Sequence, residues 1–260
     1  MAERRAWTAD DIVELDLATW EKMPLLASLL EGRCEGPALD IGAGLGYYSR
    51  KLLAPRIEPT VSLDIVLSSL LAGGLLPCCG SADGLPFPTD TFGTILLTDV
   101  LEHCPDDRVV LDEVCRVLRP GGHLIVTVPS LEWGFPDFLD LIGVESVHEQ
   151  EGPERHFTAG YQVKDLEERL QRAGLEPVEV RSLMRLGSKL MLDAIALVHL
   201  WLERGIRKRD SWTWGDLVAS PPPGLRFYEK VFPLVRRVHW LLGKLPPRTG
   251  FELAVVARKG

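Results

Sequence analysis

The sequence predicts an α/β fold, doubly wound around a mostly parallel sheet. Three observations predict it. Short apolar runs of strand length alternate with segments whose apolar residues recur at helical spacing, and three closely spaced glycines follow the first such run. The composition, 46% hydrophobic and 25% charged over 260 residues, is that of an ordinary globular chain. The length fits one main core with room for an insertion.

The elements follow in order. Residues 1–36 read as an N-terminal helical segment. Ile12, Leu15, Ala18, Leu25, Leu26, Leu29 and Leu30 mark a helix from Asp10 to Leu30, which Pro24 is expected to break. Pro37 to Gly42 is a short buried strand, and Tyr47 to Ala54 is helical. Strands are expected at Thr60–Asp64, Leu75–Cys79 and Thr94–Asp99. Asp106 to Leu118 carries Val109, Val110, Val114, Val117 and Leu118 at helical spacing, and Arg119-Pro-Gly-Gly122 ends that helix. His123–Val128 is a β-branched strand, Lys164–Ala173 a helix stopped by Gly174, and Leu175–Leu183 a further strand. Such alternation buries both faces of a parallel sheet.

The first eleven residues mix charges of both signs with no apolar run behind them, unlike a secretory leader, so the expected location is cytoplasmic. Five cysteines at 34, 78, 79, 104 and 115 show no Cys-x-x-Cys spacing, and there is no His-x-x-x-His pair. The expectation is reduced, mostly buried thiols with neither a disulfide framework nor a metal site. The net charge of −8 disfavours nucleic acid as a partner, but it is uneven. Glu203 to Arg248 holds ten basic and four acidic residues, a local balance of +6 against −14 for the remainder.

The most informative segment is Ala38-Leu-Asp-Ile-Gly-Ala-Gly-Leu-Gly-Tyr47. Closely spaced glycines after a strand let a backbone approach a ligand and offer N–H groups at a helix start. A dinucleotide fingerprint reads Gly-x-Gly-x-x-Gly. Here the third glycine comes one residue early, at Gly46, and Asp40 stands two residues before Gly42. A carboxylate there suits a ligand carrying an ammonium better than one carrying a pyrophosphate. Asp64 ends the second strand, about 20 residues beyond the loop, where an acidic side chain can accept from ribose hydroxyls. A plain strand-to-helix turn and a solvated strand end are the bland readings of these two features.

Taken together, these segments resemble the class I S-adenosylmethionine-dependent methyltransferases, in particular their small-molecule branch. Leu39-Asp-Ile-Gly-Ala-Gly-Leu-Gly46 is similar to the family's first motif and Val61-Ser-Leu-Asp-Ile65 to its ribose-binding strand. Gly80-Ser-Ala-Asp-Gly-Leu-Pro-Phe-Pro88 resembles the adenine-side segment, Thr98-Asp-Val-Leu-Glu-His103 the end of the fourth strand, and Glu113 to Gly122 the helix and turn before the fifth. The resemblance implies a Rossmann-like sheet of seven strands whose last, Phe251–Ala257, runs antiparallel. It places the cofactor-binding domain at 37–185, a helical insertion at 186–249 and the last strand in 250–260. It further implies that Asp40, Gly42, Ala43, Gly44 and Gly46 hold the methionine part of S-adenosylmethionine. Asp64 would bind the ribose, Ile65 and Ala82 lie at the adenine, Asp83 accept from its amino group, and Thr98 stand near the sulfonium.

The implied reaction is methyl transfer to a small-molecule acceptor through an O, N or C nucleophile. His103 and His156 are the candidate bases for a protonated acceptor, because imidazole titrates near neutrality; a structural role for either is the competing reading. A nicotinamide-dependent oxidoreductase is disfavoured by the glycine spacing, and a non-catalytic nucleoside-binding module is a further alternative. No Asp/Asn-Pro-Pro-Tyr-like segment follows the fourth strand, where base-amino methyltransferases carry one. About 65 residues separate the last two strands where relatives have a short turn. Leu190–Leu202 is apolar but too short to span a bilayer. Phe227 to Leu245 forms a basic amphipathic pattern, read either as a lid over the site or as a membrane-surface helix. A lid with Trp201, Trp212 and Trp214 would suit an apolar, aromatic or lipid-like acceptor.

Overall fold

A computed structural model describes residues 8–73, 75–133, 156–183, 225–242 and 250–260. Seven strands form one sheet: β1 (Ala38–Ile41), β2 (Thr60–Asp64), β3 (Pro77–Cys79), β4 (Phe92–Thr98), β5 (Leu118–Pro129), β6 (Leu175–Leu183) and β7 (Glu252–Lys259). Their order is β3-β2-β1-β4-β5-β7-β6. All pairs are parallel except those of β7, which runs antiparallel to both β5 and β6. The seven-stranded sheet with a reversed last strand is as expected.

Side-chain alternation divides the core between the two faces. Leu39 and Ile41 of β1, with Ile95, Leu97, Leu124 and Val126, pack with α4 (Asp107–Val117) and α5 (Val163–Arg172) through Val110, Val114, Leu166 and Leu170. Ala38, Leu96 and Ile125 face the other way, onto Leu26, Leu29 and Leu30 of α2 (Leu17–Leu30) and Leu52 and Leu53 of a π-helical turn, Ser49–Leu53. Each such leucine, fully withdrawn from water, contributes about 1.5–3 kcal/mol. Short helices α1 (Ala9–Val13) and α3 (Leu67–Gly73) flank the ends of β1 and β2.

Several local expectations are corrected. The N-terminal helix breaks at Glu14–Asp16, not at Pro24. Asp16 caps α2, accepting from the Thr19 N–H at 2.7 Å and the Thr19 hydroxyl at 2.6 Å, and Pro24 lies inside the helix. The burial of Leu26, Leu29 and Leu30 outweighs the one hydrogen bond that proline removes. The segment after the glycine loop is π-helical over 49–53 rather than an ordinary helix. Leu118 already pairs with Phe92, so Arg119–Gly122 bulges out of β5 rather than ending α4 as a free turn. None of the five cysteines is fully buried: Cys34, Cys78, Cys104 and Cys115 pack at the margins of the two cores, and Cys79 is exposed.

The amphipathic pattern of the C-terminal third forms α6 (Leu225–Leu242). It docks on α2: His239 is buried with its Nε2 2.9 Å from Glu21, its ring meets Trp20 edge-on, and the Arg236 guanidinium covers the other part of Trp20 at 4.5 Å. Leu190–Leu202 and Trp201, Trp212 and Trp214 lie outside the described residues. Among the described residues, no helix is long and apolar enough to cross a membrane.

Candidate functional site

The chain leaves β1 toward β2 on one side and reaches β4 on the other, so a crevice opens where the strand order reverses. A cleft of about 970 Å³ lies there, lined by the residues that follow β1, β2, β3 and β4.

Its floor is the glycine loop. Gly42, Gly44 and Gly46 all have positive φ, +71°, +51° and +67°, a conformation costly to residues with a Cβ. A Cβ on Gly42 would stand 2.3 Å from Val100 Cγ2. The loop's amides are spent within the protein: Gly42 and Ala43 donate to Leu63 O at 2.8 and 3.0 Å, Gly44 to Asp64 Oδ2 at 2.8 Å, and Gly46 to Ala43 O at 2.7 Å. Four of the loop's five N–H groups, all but that of Leu45, are thus turned onto the protein rather than toward the cleft. Asp64 is tied down in turn, with Oδ1 accepting from Val66 N–H at 2.8 Å. Each of its oxygens keeps a second lone pair, and the residue lines the cleft.

Of the residues singled out from sequence, Gly42, Ala43, Gly44, Asp64, Ile65, Ala82, Asp83, Thr98, His103 and His156 all line this one cleft. Gly46 and Asp40 do not. Asp40 shares the face of Ala38 and is fully buried, receiving the Ser49 hydroxyl at 2.5 Å, and its Oδ1 has no hydrogen-bond partner. Burial pushes its carboxyl up to about 7, against a smaller opposing effect of Ser49.

That shift has a stability consequence with a definite sign. The folded chain holds a proton that the unfolded chain releases near 3.8, so this group's contribution is full below that value. It is lost as pH rises toward 7. Asp40→Asn, which copies the neutral acid, is expected to flatten this decline and to stabilise the protein at pH 8 by up to about 4 kcal/mol. Denaturant melts of both proteins at pH 4 and pH 8 check it.

The opposite wall comes from segments that carry no motif. Val13, Asp16, Thr19 and Lys22 of α1 and α2 line the cleft together with Tyr47, Tyr48 and Asp99. Lys22 is buried and pairs with Asp99, and its Nζ lies 2.8 Å from Glu252 Oε1. Burial alone would lower its pKa, but Asp99 and Glu252 outweigh that and hold it well above the usual lysine range. Burial and the charge of Asp99 push Glu102 up to about 8. Burial likewise raises Glu252 far above an ordinary carboxyl, although Lys22 opposes it. Asp99 adopts φ +53° and accepts from the Thr127 hydroxyl at 2.9 Å, which fixes it over Lys22. One signal for this wall was readable: Lys22 falls at i+4 and i+7 spacing with Leu26 and Leu29, on the buried stripe of α2.

Comparison with known proteins agrees with this architecture. A family model described as a methyltransferase domain matches residues 39–126, from β1 into β5. The malonyl-(acyl-carrier protein) O-methyltransferase of Alcanivorax borkumensis is 42% identical over 135 residues, covering 48% of this chain and 45% of that protein. A ubiquinone/menaquinone biosynthesis C-methyltransferase of Chromobacterium violaceum is 33% identical over 126 residues, covering 44% and 50%. The chain thus spans half or less of the length of these curated relatives. Among solved structures, an S-adenosylmethionine dependent methyltransferase from Mesorhizobium loti superposes with a TM-score of 0.56 at 16% identity. The match covers 94% of this chain and all of that one. The cyclase SpnF superposes with a TM-score of 0.54 at 17% identity, covering 90% and 80%. The sheet order, the glycine loop and the matched segment lead to one placement: residues 39–126 match a methyltransferase domain, and the fold around them is similar to that of S-adenosylmethionine-dependent methyltransferases.

Proposed function

We propose that this protein transfers the methyl group of S-adenosylmethionine to a small-molecule acceptor by direct in-line displacement at an O, N or C nucleophile. The observation that carries the reading is the convergence of ten residues from five separate segments on one cleft beside the glycine loop. The cleft suits this cofactor. Gly42 lets the loop pass close against Val100 with no side chain of its own, and Asp64 keeps acceptor capacity at the β2 end of the cleft.

When bound, the cofactor supplies an electrophilic methyl carbon and a good leaving group. The protein's task is then positional, and holding the reacting atoms in line contributes about 7–11 kcal/mol. The glycine loop and Thr98 form the floor beneath the sulfur end. Ile65, Ala82 and Asp83 form the far wall of the cleft, where the adenine would lie. His103 and His156 stand at the acceptor side as bases for an acceptor that arrives protonated. The docking of α6 on α2 through Trp20 and His239 supports the lid reading of the insertion, and an apolar or lipid-like acceptor fits that reading.

Two tests apply. Protein incubated with methyl-tritiated S-adenosylmethionine and a panel of phenols, fatty acids, acyl thioesters and amines should move label into an acceptor. Cofactor retention with no transfer across the panel would favour a non-catalytic nucleoside-binding module. Asp64→Ala should weaken cofactor binding about 10–100-fold, since it removes an acceptor and frees the Gly44 amide it holds. An unchanged dissociation constant would contradict the ribose assignment.

The membrane reading of α6 is tested separately. The helix exposes Leu234, Val238, Trp240 and Leu241. Sedimentation with anionic vesicles at low salt, abolished by moderate salt, is the result that reading requires. The lid reading expects the protein to stay in the supernatant.

A further inference from the structure

At the acceptor side of the cleft, two distant stretches of chain are clamped together. The turn Leu101–His103 follows β4, and the main-chain oxygen of Glu102 receives the Phe157 N–H at 2.7 Å and the Thr158 N–H at 3.4 Å. Farther along, the Tyr161 N–H donates to the Pro129 carbonyl at 2.9 Å, and the Tyr161 hydroxyl donates to Asp107 at 3.0 Å. His156 is thereby held against His103, ring centroids 4.5 Å apart and planes nearly perpendicular at 88°. Both histidines line the cleft.

Behind them Glu102 is only 2% exposed, and its Oε2 is buried with no hydrogen-bond partner. A carboxyl oxygen is costly to bury in that condition. One ligand atom each from Glu102, His103 and His156 lies within 4.8 Å of the others. Around a tetrahedral cation with bonds of about 2.1 Å, such atoms are about 3.4 Å apart, so closure needs about 1 Å of side-chain movement.

We propose that Glu102, His103 and His156 form a site for a divalent first-row transition-metal cation, zinc foremost, whose open coordination position faces the cleft and takes an oxygen of the methyl acceptor. Two imidazoles with one carboxylate favour such ions over magnesium or calcium, which prefer all-oxygen sites. Three protein ligands leave room for a fourth. This deepens the methyltransferase reading and rests on it in one respect: it narrows the acceptor to an oxygen donor such as a phenol, hydroxy acid or carboxylate, and it replaces the base role of the two histidines, because the cation rather than an imidazole then acidifies that oxygen. The site itself stands on geometry alone.

The test titrates the full chain, freed of metal by a chelator, with Co²⁺ and follows visible absorption, with S-adenosylhomocysteine binding measured on the same samples. The expected result is one equivalent of Co²⁺ with ligand-field bands, weakened at least about 100-fold in His103→Ala and in His156→Ala. Acetohydroxamate, a probe oxygen ligand, should shift those bands. Absence of binding up to millimolar Co²⁺, or binding unchanged in the His103→Ala/His156→Ala double variant, overturns the site. Bands indifferent to acetohydroxamate overturn the open position. Should the variants fail to fold, hyperfine-shifted imidazole N–H signals in the Co²⁺-loaded unsubstituted protein count the histidine ligands. Two are expected, and none would overturn the assignment. Protein that binds the nucleoside but no cation removes this proposal alone, and protein that binds the cation but no nucleoside removes the methyltransferase reading alone.

Discussion

Replacing Lys22 by Met is expected to destabilise the protein by about 3–5 kcal/mol, the cost of leaving the buried Glu252 carboxyl without its cation. Lys22 is 5% exposed and faces Asp99 and Glu252 from the middle of α2. Methionine matches its length and apolar stem, so the loss reports the charge rather than a cavity. The raised pKa of Lys22 fixes the pH behaviour of the native protein: its contribution is full below the ordinary lysine value of 10.5 and is lost only as pH passes the still higher folded value. A second substitution, Glu252→Gln, should recover part of the deficit, because it removes one of the carboxyls left alone. Guanidinium melts at pH 7 measure both effects. A deficit below about 1 kcal/mol would mean that water reaches this cluster freely.

Gly42→Ala is the substitution expected to damage cofactor binding most. The alanine must adopt φ +71°, at about 1–2 kcal/mol, with its Cβ 2.3 Å from Val100 Cγ2. Relief requires Val100 or the loop to move, and the loop carries the Gly44 amide that orients Asp64. A tenfold change in affinity corresponds to about 1.4 kcal/mol, so strain of this size predicts binding about 10–100-fold weaker. Gly84→Ala is the control: a Cβ there meets nothing within 4 Å and its φ is not positive, so affinity should be unchanged. Calorimetric titration of the two variants distinguishes local strain at the loop from a general intolerance of substitution.

Much of this architecture was legible in the sequence because it rests on local signals. Strand-length apolar runs separated by helical spacing located six of the seven strands within a few residues, and the final one followed from the family resemblance. The glycines were legible because only backbone that must turn tightly spaces them so closely. Their chemistry was not: the N–H groups expected to await a ligand are consumed by Leu63 and Asp64, which belong to a strand some 20 residues on. Asp40 shows the same limit. Its place among Ala38, Leu39 and Ile41 gives its face by simple alternation, but its burial against Ser49 depends on a π-helical turn that no local pattern marks.

Pro24 misled for a related reason, since a helix rule was overruled by tertiary burial of Leu26, Leu29 and Leu30 just beyond it. The acceptor wall was the least legible part. Lys22, Asp99, Glu102, His156 and Glu252 come from four separate segments, and only the packing of α2, the β4 turn, the 156–161 segment and β7 unites them. Spacing rules for metal sites search for ligands a few residues apart. They pass over Glu102 and His103 joined to a histidine from the far side of a long segment.

The central claim is that the cleft beside Gly42 holds S-adenosylmethionine, and calorimetric titration of the purified protein with S-adenosylhomocysteine tests it most directly. The account predicts a single saturable site with micromolar affinity, weakened in Gly42→Ala and Asp64→Ala and absent for NAD. No heat of binding at millimolar nucleoside, or equal affinity for NAD, would contradict it.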